Sequence, residues 1–201
     1  EIQAYSPFCE EEERDKALIL RALETEREVF SRENALCHMT ASAWVTNRTG
    51  TKVLMAYHNI YNSWSWLGVH ADGEEDLLSV AVREAREESG LWSIFPVFPE
   101  IFSLESLTVD GHRKRGLYVS SHLHLNVTYL LLADETEKLH VREGENRAVA
   151  WFDLDRAVSM SAEPWFREHV YAKLNQKLRR VLKEHPDRLR EAFEKKGLSE
   201  G

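Results

Sequence analysis

The stretch Gly68–Leu91 constrains the fold of this chain more than any other part of the sequence. It reads GVHADGEEDLLSVAVREAREESGL, so an acidic loop with glycines leads into a segment rich in carboxylates. No proline or glycine interrupts Glu75–Glu88, and Gly90 follows where a left-handed residue commonly ends a helix. The pattern therefore predicts one continuous helix with Asp72 as its N-cap.

Three carboxylates share one side of this predicted helix. Glu84, Glu87 and Glu88 are spaced i, i+3 and i+4, while Leu78 and Val82 belong to an apolar side. Like charges at that spacing destabilise an isolated helix. The carboxylates therefore form either a solvated face balanced by neighbouring arginines or a site for a hard divalent cation. Mg²⁺ prefers such oxygen ligands and takes further oxygens from water and substrate phosphates.

The spacing of these charges resembles the signature of the Nudix hydrolases. Glu75 is followed, after seven residues, by the run REAREESGL at positions 83–91, which is similar to the family pattern R-E-apolar-x-E-E-x-G-apolar. The family signature also opens with a glycine six residues before its first glutamate, and Val69 occupies that position here. Because a β-branched residue resists the positive φ that glycine permits, we expect Val69 to lower turnover or change the loop.

The resemblance implies a fold and a reaction. The fold is α/β, a Nudix-type α/β/α sandwich with a mixed β-sheet and additional N- and C-terminal helices. The reaction is the metal-dependent hydrolysis of a phosphoanhydride (pyrophosphate) bond in a nucleoside diphosphate linked to another moiety, with Mg²⁺ or Mn²⁺ as cofactor. The domain boundaries implied are residues 1–37 for an N-terminal helical extension, 38–182 for the hydrolase domain and 183–201 for a C-terminal tail.

The resemblance also implies roles for particular residues. The metal ligands by position are the carbonyl of Gly68 and the carboxylates of Glu84, Glu87 and Glu88, any of which could also deprotonate water. Arg83 would orient these carboxylates, with Glu75 as its ion-pair partner. A late loop glutamate often completes such a site or acts as base, and Glu145 is the first choice for it, ahead of Glu143.

Two other functions remain open at this stage. Isopentenyl-diphosphate isomerases share the fold, but that family uses a cysteine near the glycine loop, whereas the nearest cysteine here is Cys37. A non-catalytic nucleotide-binding or regulatory module is the second alternative, and Val69 is the only residue that favours it.

Charge and cysteine content limit the partners. The net charge of -8 and the short basic run at positions 113–115 disfavour binding to extended nucleic acid. The two cysteines form no C-x-x-C pattern, which favours a reducing, cytoplasmic setting. No apolar run is long enough to cross a membrane. A small nucleotide-type diphosphate is the expected substrate, and a homodimer is common in the family.

The remaining segments are predicted to form the scaffold of the domain. We predict a helix over Glu10–Arg32 whose acidic first turn is solvated, and strands over His38–Thr46, Lys52–His58 and Leu117–Ala133. The last strand alternates, with His122, His124, Asn126 and Thr128 on its polar face, which suggests a cleft wall. Histidines at i and i+2 can form part of a zinc site, but the sequence shows no third ligand. The final helix, Asp187–Lys196, is expected to be peripheral.

Overall fold

A mixed β-sheet flanked by helices organises the fold. The computed structural model describes residues 1–59, 62–114, 116–141 and 146–195. Within these ranges the helices are α1 (Glu10–Thr25), α2 (Leu77–Ser89), α3 (Leu154–Met160), α4 (Ala172–Glu184) and α5 (Arg188–Glu194), with a π-helical segment, Phe166–Tyr171, before α4. The strands are β1 (Cys37–Thr46), β2 (Lys52–His58), β3 (Ser63–Ser65), β4 (Leu67–His70), β5 (Phe95–Pro96), β6 (Ser103–Val109), β7 (His112–Lys114), β8 (Leu117–Val119), β9 (His122–Leu132) and β10 (Asn146–Asp153).

Strand β1 lies at the centre of the sheet. It pairs in parallel with β9 from Cys37 opposite Leu123 to Thr46 opposite Leu132, and antiparallel with both β2 and β4. Strands β10 and β3 extend the sheet beyond β2, and β6 and β5 pair antiparallel with β9. Strands β7 and β8 form a separate hairpin.

Helices cover both faces of the sheet because the side chains of each strand alternate. On one face, residues such as Met39 and Ala41 of β1 form an apolar core with Ile19 of α1 and Val80 of α2. On the other face, Trp44 belongs to a second core that includes residues of α3, α4 and α5. This arrangement confirms the predicted α/β class with a mixed sheet and flanking helices.

The helix that carries the acidic signature has a defined start and end. Asp76 is its N-cap, since Oδ1 of Asp76 accepts a hydrogen bond of 3.1 Å from the backbone N–H of Ser79 and Oδ2 accepts one from the Ser79 hydroxyl. The prediction of Asp72 as N-cap is wrong, because Asp72 adopts a φ of +50° in the preceding turn. Gly90 ends the helix with a φ of +71°, as predicted.

Other elements differ from the predictions in length and in packing. Helix α1 ends at Thr25 instead of Arg32, and the predicted strand Leu117–Ala133 is divided between β8 and β9. Helix α5 is not peripheral, because Leu189 and Phe193 are buried in the second core and the Arg48 guanidinium lies 3.9 Å from the centroid of the Phe193 ring. The domain boundaries stay a prediction, although both terminal helices pack on the central sheet. None of the helices described here is long and apolar enough to cross a membrane.

Candidate active site

The acidic helix α2 turns two of its three signature carboxylates towards the sheet. It packs on β1 and β4 through Val80, Ala81 and Ala85, which are fully buried. Glu84 and Glu88 are only 5% and 2% exposed, one helical turn apart, whereas Glu87 is exposed. The apolar side predicted from Leu78 and Val82 is therefore shifted, because those two residues are only partly buried.

An ion pair joins α2 to the acidic loop. The Arg83 guanidinium lies 2.7 Å from a carboxylate oxygen of Glu74, and this hydrogen-bonded pairing raises the pKa of Arg83. The predicted partner was Glu75, one residue later, so that assignment is wrong. Arg83 also interacts electrostatically with Glu87 and Glu84, which agrees with a role in positioning them.

Gly68 is held in a close contact that admits no side chain. It lies in β4 opposite Ser42 of β1, and a Cβ at this position would be 2.5 Å from the Ser42 hydroxyl oxygen and 2.9 Å from the Ala41 carbonyl oxygen. Real Cβ atoms do not approach other atoms so closely. The glycine therefore allows β4 to lie against β1, which fixes the backbone just before the acidic loop.

Val69 occupies a conformation that suits a β-branched residue. It lies within β4, paired with Ala41, and its side chain packs against the apolar core beneath α2. The positive φ angles of this loop fall later, at +50° for Asp72 and +94° for Gly73. The physical reason for expecting Val69 to disturb the loop therefore does not hold in this structure.

The donor set on α2 suits a hard divalent cation. Glu84, Glu87 and Glu88 offer carboxylate oxygens, which Mg²⁺ and Mn²⁺ prefer. In the part of the chain that the structure describes, these three carboxylates do not form a group whose ligand atoms all lie within 4.8 Å of one another. Mg²⁺ fits such a donor set because it retains several waters and uses few protein ligands. Glu145 and Glu143 lie outside the described residues.

A groove follows the exposed side of α2. Its volume is about 640 Å³, and its lining includes Arg83, Glu87 and the 85% exposed ring of Trp92. Trp64 and Trp66 do not line this groove. Trp66 is buried against Tyr171, and Trp64 packs edge-on against Phe152, so both have structural contacts.

The polar face of β9 is closed over its inner half. Asn126 and Thr128 are buried and both donate hydrogen bonds, of 2.9 and 2.8 Å, to Glu105 of β6. Thr40 and Ser42 of β1 donate to the Asn126 side-chain oxygen. The inner half of the face is thus a sealed hydrogen-bond network and not the cleft wall that the alternation suggested.

A buried ion network adjoins these side chains. Glu12 of α1 is fully buried, with the Lys177 ammonium 2.6 Å and the Lys173 ammonium 3.3 Å from its Oε1. Lys173 also lies 3.0 Å from Glu105, and the Tyr5 hydroxyl donates to Glu12. The prediction that the first turn of α1 is solvated is therefore wrong for Glu12. The helical pattern could not reveal it, since both lysines are more than 160 residues away.

The pKa values of this network reflect burial and charge together. Burial alone would raise the pKa of Glu12, but the charges of Lys177 and Lys173, together with hydrogen bonds from Lys177 and Tyr5, lower it to about 2. Burial lowers the pKa of Lys177, while Glu105 and Glu12 raise the pKa of Lys173 against the same effect of burial. The carboxylates of Glu12 and Glu105 are thus paired with the ammonium groups of two lysines.

Comparison with known proteins adds independent information. The family model of the NUDIX domain matches residues 37–174 of this sequence. Among solved structures, a hydrolase of the NUDIX family from Clostridium perfringens is similar, with a TM-score of 0.50, 16% identity, and coverage of 72% of this chain and 97% of that one. A C. elegans Ap4A hydrolase has a TM-score of 0.49 and 16% identity, covering 73% and 98% of the two chains. No curated protein sequence matches significantly.

Proposed function

The chain belongs to the Nudix family of pyrophosphohydrolases, and from that premise we propose that it hydrolyses a phosphoanhydride bond in a nucleoside diphosphate linked to another moiety, with Mg²⁺ or Mn²⁺. The observation that carries this proposal is the intact set of carboxylates on α2, two of them directed towards the sheet beside β4. Carboxylates at i and i+4 lie side by side on one helix, and carboxylate oxygens are the ligands that a hard divalent ion prefers.

The residues of the site divide into those that hold the ion and those that position it. Glu84, Glu87, Glu88 and the carbonyl of Gly68 are the proposed ligands, with Glu145 as the candidate late glutamate. The bound ion would stabilise the negative charge that develops on the phosphate oxygens as water attacks phosphorus. Glu87 is exposed and so could also accept the proton of that water.

Arg83 is a positioning residue in this proposal. Its ion pair with Glu74 connects the acidic loop to α2, and its charge acts on Glu84 and Glu87. The close packing of Gly68 on Ser42 fixes the other side of the loop. The loop is thus held at both ends, which is the preorganisation that a phosphoryl-transfer site requires.

The test is product release from a panel of substrates. Nucleoside triphosphates, nucleotide sugars, dinucleoside polyphosphates and ADP-ribose are incubated with Mg²⁺, Mn²⁺ or EDTA. We expect one class to be cleaved, EDTA to stop the reaction, and Glu87→Gln to abolish it in a folded protein. Glu191→Gln, an exposed glutamate on α5, is the matched control and should retain full activity. Turnover that survives both EDTA and Glu87→Gln would refute the proposal.

Further measurements distinguish the hydrolase from the alternative functions. Because Val69 fits its strand, Val69→Gly should not raise turnover. If the Val69→Gly variant were active and the wild type inactive, the valine would be shown to disable the site. Nucleotide binding without hydrolysis by either protein would support a non-catalytic module, and isomerisation of isopentenyl diphosphate would support the isomerase. The homodimer expected from the family stays a prediction, which analytical ultracentrifugation would test.

A further inference from the structure

Imidazole side chains from three strands meet on the face of the sheet opposite the α2 core. His38 lies at the start of β1, His124 is its partner on β9, and His70 ends β4 opposite Thr40. One ligand atom of each lies within 4.8 Å of the other two, and among the described residues no other group of His, Cys, Asp and Glu meets that criterion. The alternation of β9 indicated His122 and His124 in the sequence. It could not indicate that His38 and His70 join His124, because strand pairing brings these rings together.

The spacing of the rings suits a common ligand. The ring centroids of His38 and His70 are 5.0 Å apart, those of His38 and His124 are 5.0 Å apart, and those of His70 and His124 are 4.8 Å apart. With Zn–N bonds of about 2.0–2.1 Å and tetrahedral angles, imidazole centroids around one ion lie about 5 Å apart. The three rings therefore already have the separation that a shared ion imposes.

The tautomer of His38 leaves a bare nitrogen inside the protein. Its Nδ1 lies 3.1 Å from the backbone carbonyl oxygen of Asn34, so Nδ1 carries the proton and donates it there. The side chain is 3% exposed, and its Nε2 is buried with no hydrogen-bond partner. A buried acceptor without a donor is costly, whereas a metal-binding histidine shows this same arrangement of a carbonyl on one nitrogen and the ion on the other.

His122 presents a further imidazole nitrogen to the group, one that is hydrogen bonded to His124. Its Nδ1 lies 2.8 Å from the Ser120 carbonyl oxygen, which leaves Nε2 unprotonated, and this Nε2 is 3.2 Å from Nε2 of His124. Adjacent nitrogens of a tetrahedral zinc site are separated by about 3.3 Å for bonds of the usual length. Its ring also stacks on His38, with centroids 4.9 Å apart. His122 therefore borders the fourth position of the group.

The electrostatic setting favours neutral imidazoles. Burial, reinforced by His70 and His38, lowers the pKa of His124 to about 2, and burial also lowers the pKa of His38. Neutral imidazole is the form that binds metal. Arg32, whose charge also acts on His38 and His124, donates to both carboxylate oxygens of Asp72, and Asp72 itself interacts with His70 and His38.

We propose that His38, His70 and His124 form a binding site for a divalent transition-metal ion of the Zn²⁺ type, with His122 at the fourth position. Imidazole nitrogens select such ions, whereas the carboxylate oxygens of α2 select Mg²⁺ and Mn²⁺. The chain would thus carry two chemically different metal sites, and the histidine site does not depend on the proposed hydrolysis.

The test is a Co²⁺ titration of the full chain, followed by its visible absorption, in millimolar Mg²⁺ to occupy carboxylate sites. We expect one Co²⁺ per chain with the intense spectrum of a tetrahedral nitrogen site, and displacement of it by Zn²⁺. His38→Gln and His124→Gln should each weaken binding by at least about 100-fold, more than the loss of an outer-shell partner costs. His122→Gln should have a smaller effect. His185→Gln, an exposed histidine, and Glu88→Gln should leave Co²⁺ binding unchanged.

Nuclear magnetic resonance of the wild-type imidazole nitrogens keeps the test decisive if the variants fold poorly. Addition of Zn²⁺ should shift the Nε2 signal of His38 and leave its Nδ1 protonated. The proposal is overturned if the wild type binds no Co²⁺ at 100-fold molar excess, if His38→Gln binds it as tightly as the wild type, or if Glu88→Gln abolishes the spectrum.

Discussion

Two pairs of buried glutamates lie in different parts of the fold and have different neighbours. Glu12 and Glu105 are 0% and 1% exposed, and the ammonium groups of Lys173 and Lys177 lie between them. Glu84 and Glu88 are 5% and 2% exposed, but they lie one turn apart on α2, whose arginines donate to Glu74 and to the Ile94 carbonyl. The first pair is matched by lysines of α4, whereas the second belongs to the acidic signature of α2 and has the charge of Arg83 acting on Glu84.

The difference separates a structural role from a functional one. A buried carboxylate that is matched by lysines cannot accept a further cation without displacing them, so it stabilises one packing arrangement of α1 on α4. Carboxylates at i and i+4 on one helix can instead bind a single divalent ion together, which is the role proposed for Glu84 and Glu88. Burial alone therefore does not distinguish a structural carboxylate from a proposed metal ligand, and a comparison of stability and turnover is needed to do so.

Glu12→Gln should give the largest change in stability. It leaves Lys177 and Lys173 buried with one carboxylate fewer, and the removal of one partner of a buried pair costs about 3–5 kcal/mol. Urea denaturation measures the free energy of unfolding. Turnover per folded molecule should be unchanged, because Glu12 lies in a network apart from α2. Glu13→Gln, an exposed neighbour on α1, is the control, and equal stability of the two variants would contradict the assignment.

Glu88→Gln should give the reverse result. It replaces one of the three signature carboxylates of α2 by an amide of the same size, which reduces the repulsion among them, so we expect the free energy of unfolding without metal to stay within about 1 kcal/mol of the wild type or to rise. Turnover should fall by at least about 100-fold, the effect of removing one electrostatic group from a catalytic site. The assay is metal-dependent product release beside urea denaturation. Removal of one partner from a buried ion pair costs about 3 kcal/mol or more. A Glu88→Gln variant that is fully active but less stable by that amount would show that Glu88, like Glu12, is a structural residue.

The sequence predicted local features better than distant partners. The limits of β1 and β2, the C-terminal end of α2 and the αL residue Gly90 follow from apolar periodicity, turn residues and helix-ending signals, all of which act within a few positions. The lysine partners of Glu12 and the grouping of His38 with His70 depend on tertiary packing, which no local pattern encodes. Asp76 is the N-cap instead of Asp72 because the Asp72 carboxylate accepts a hydrogen bond from Arg32, which is 40 positions away.

Acid should weaken the lysine-matched pair. The pKa of Glu12 is about 2 in the folded protein, below its ordinary value of 4.5, because Lys177 and Lys173 outweigh the effect of burial. A lowered pKa contributes stability that is fully present above pH 4.5 and is lost as the pH falls towards 2. The stability difference between wild type and Glu12→Gln should therefore narrow over this interval. A difference that stays constant from pH 6 to pH 2 would contradict the lowered pKa.

Glu74→Gln should have the smallest effect, although it also breaks an ion pair. Arg83 and Glu74 keep 45% and 49% of their side-chain surfaces exposed, so water solvates both charges after the change. Exposed pairs contribute about 0.2–1 kcal/mol, and salt screens them. We expect a stability loss of that size that shrinks further in 1 M NaCl, and a decrease in turnover below about tenfold, much less than for Glu88→Gln. Because Arg83 remains to orient Glu84 and Glu87, a 100-fold loss of turnover would instead make Glu74 itself part of the catalytic arrangement.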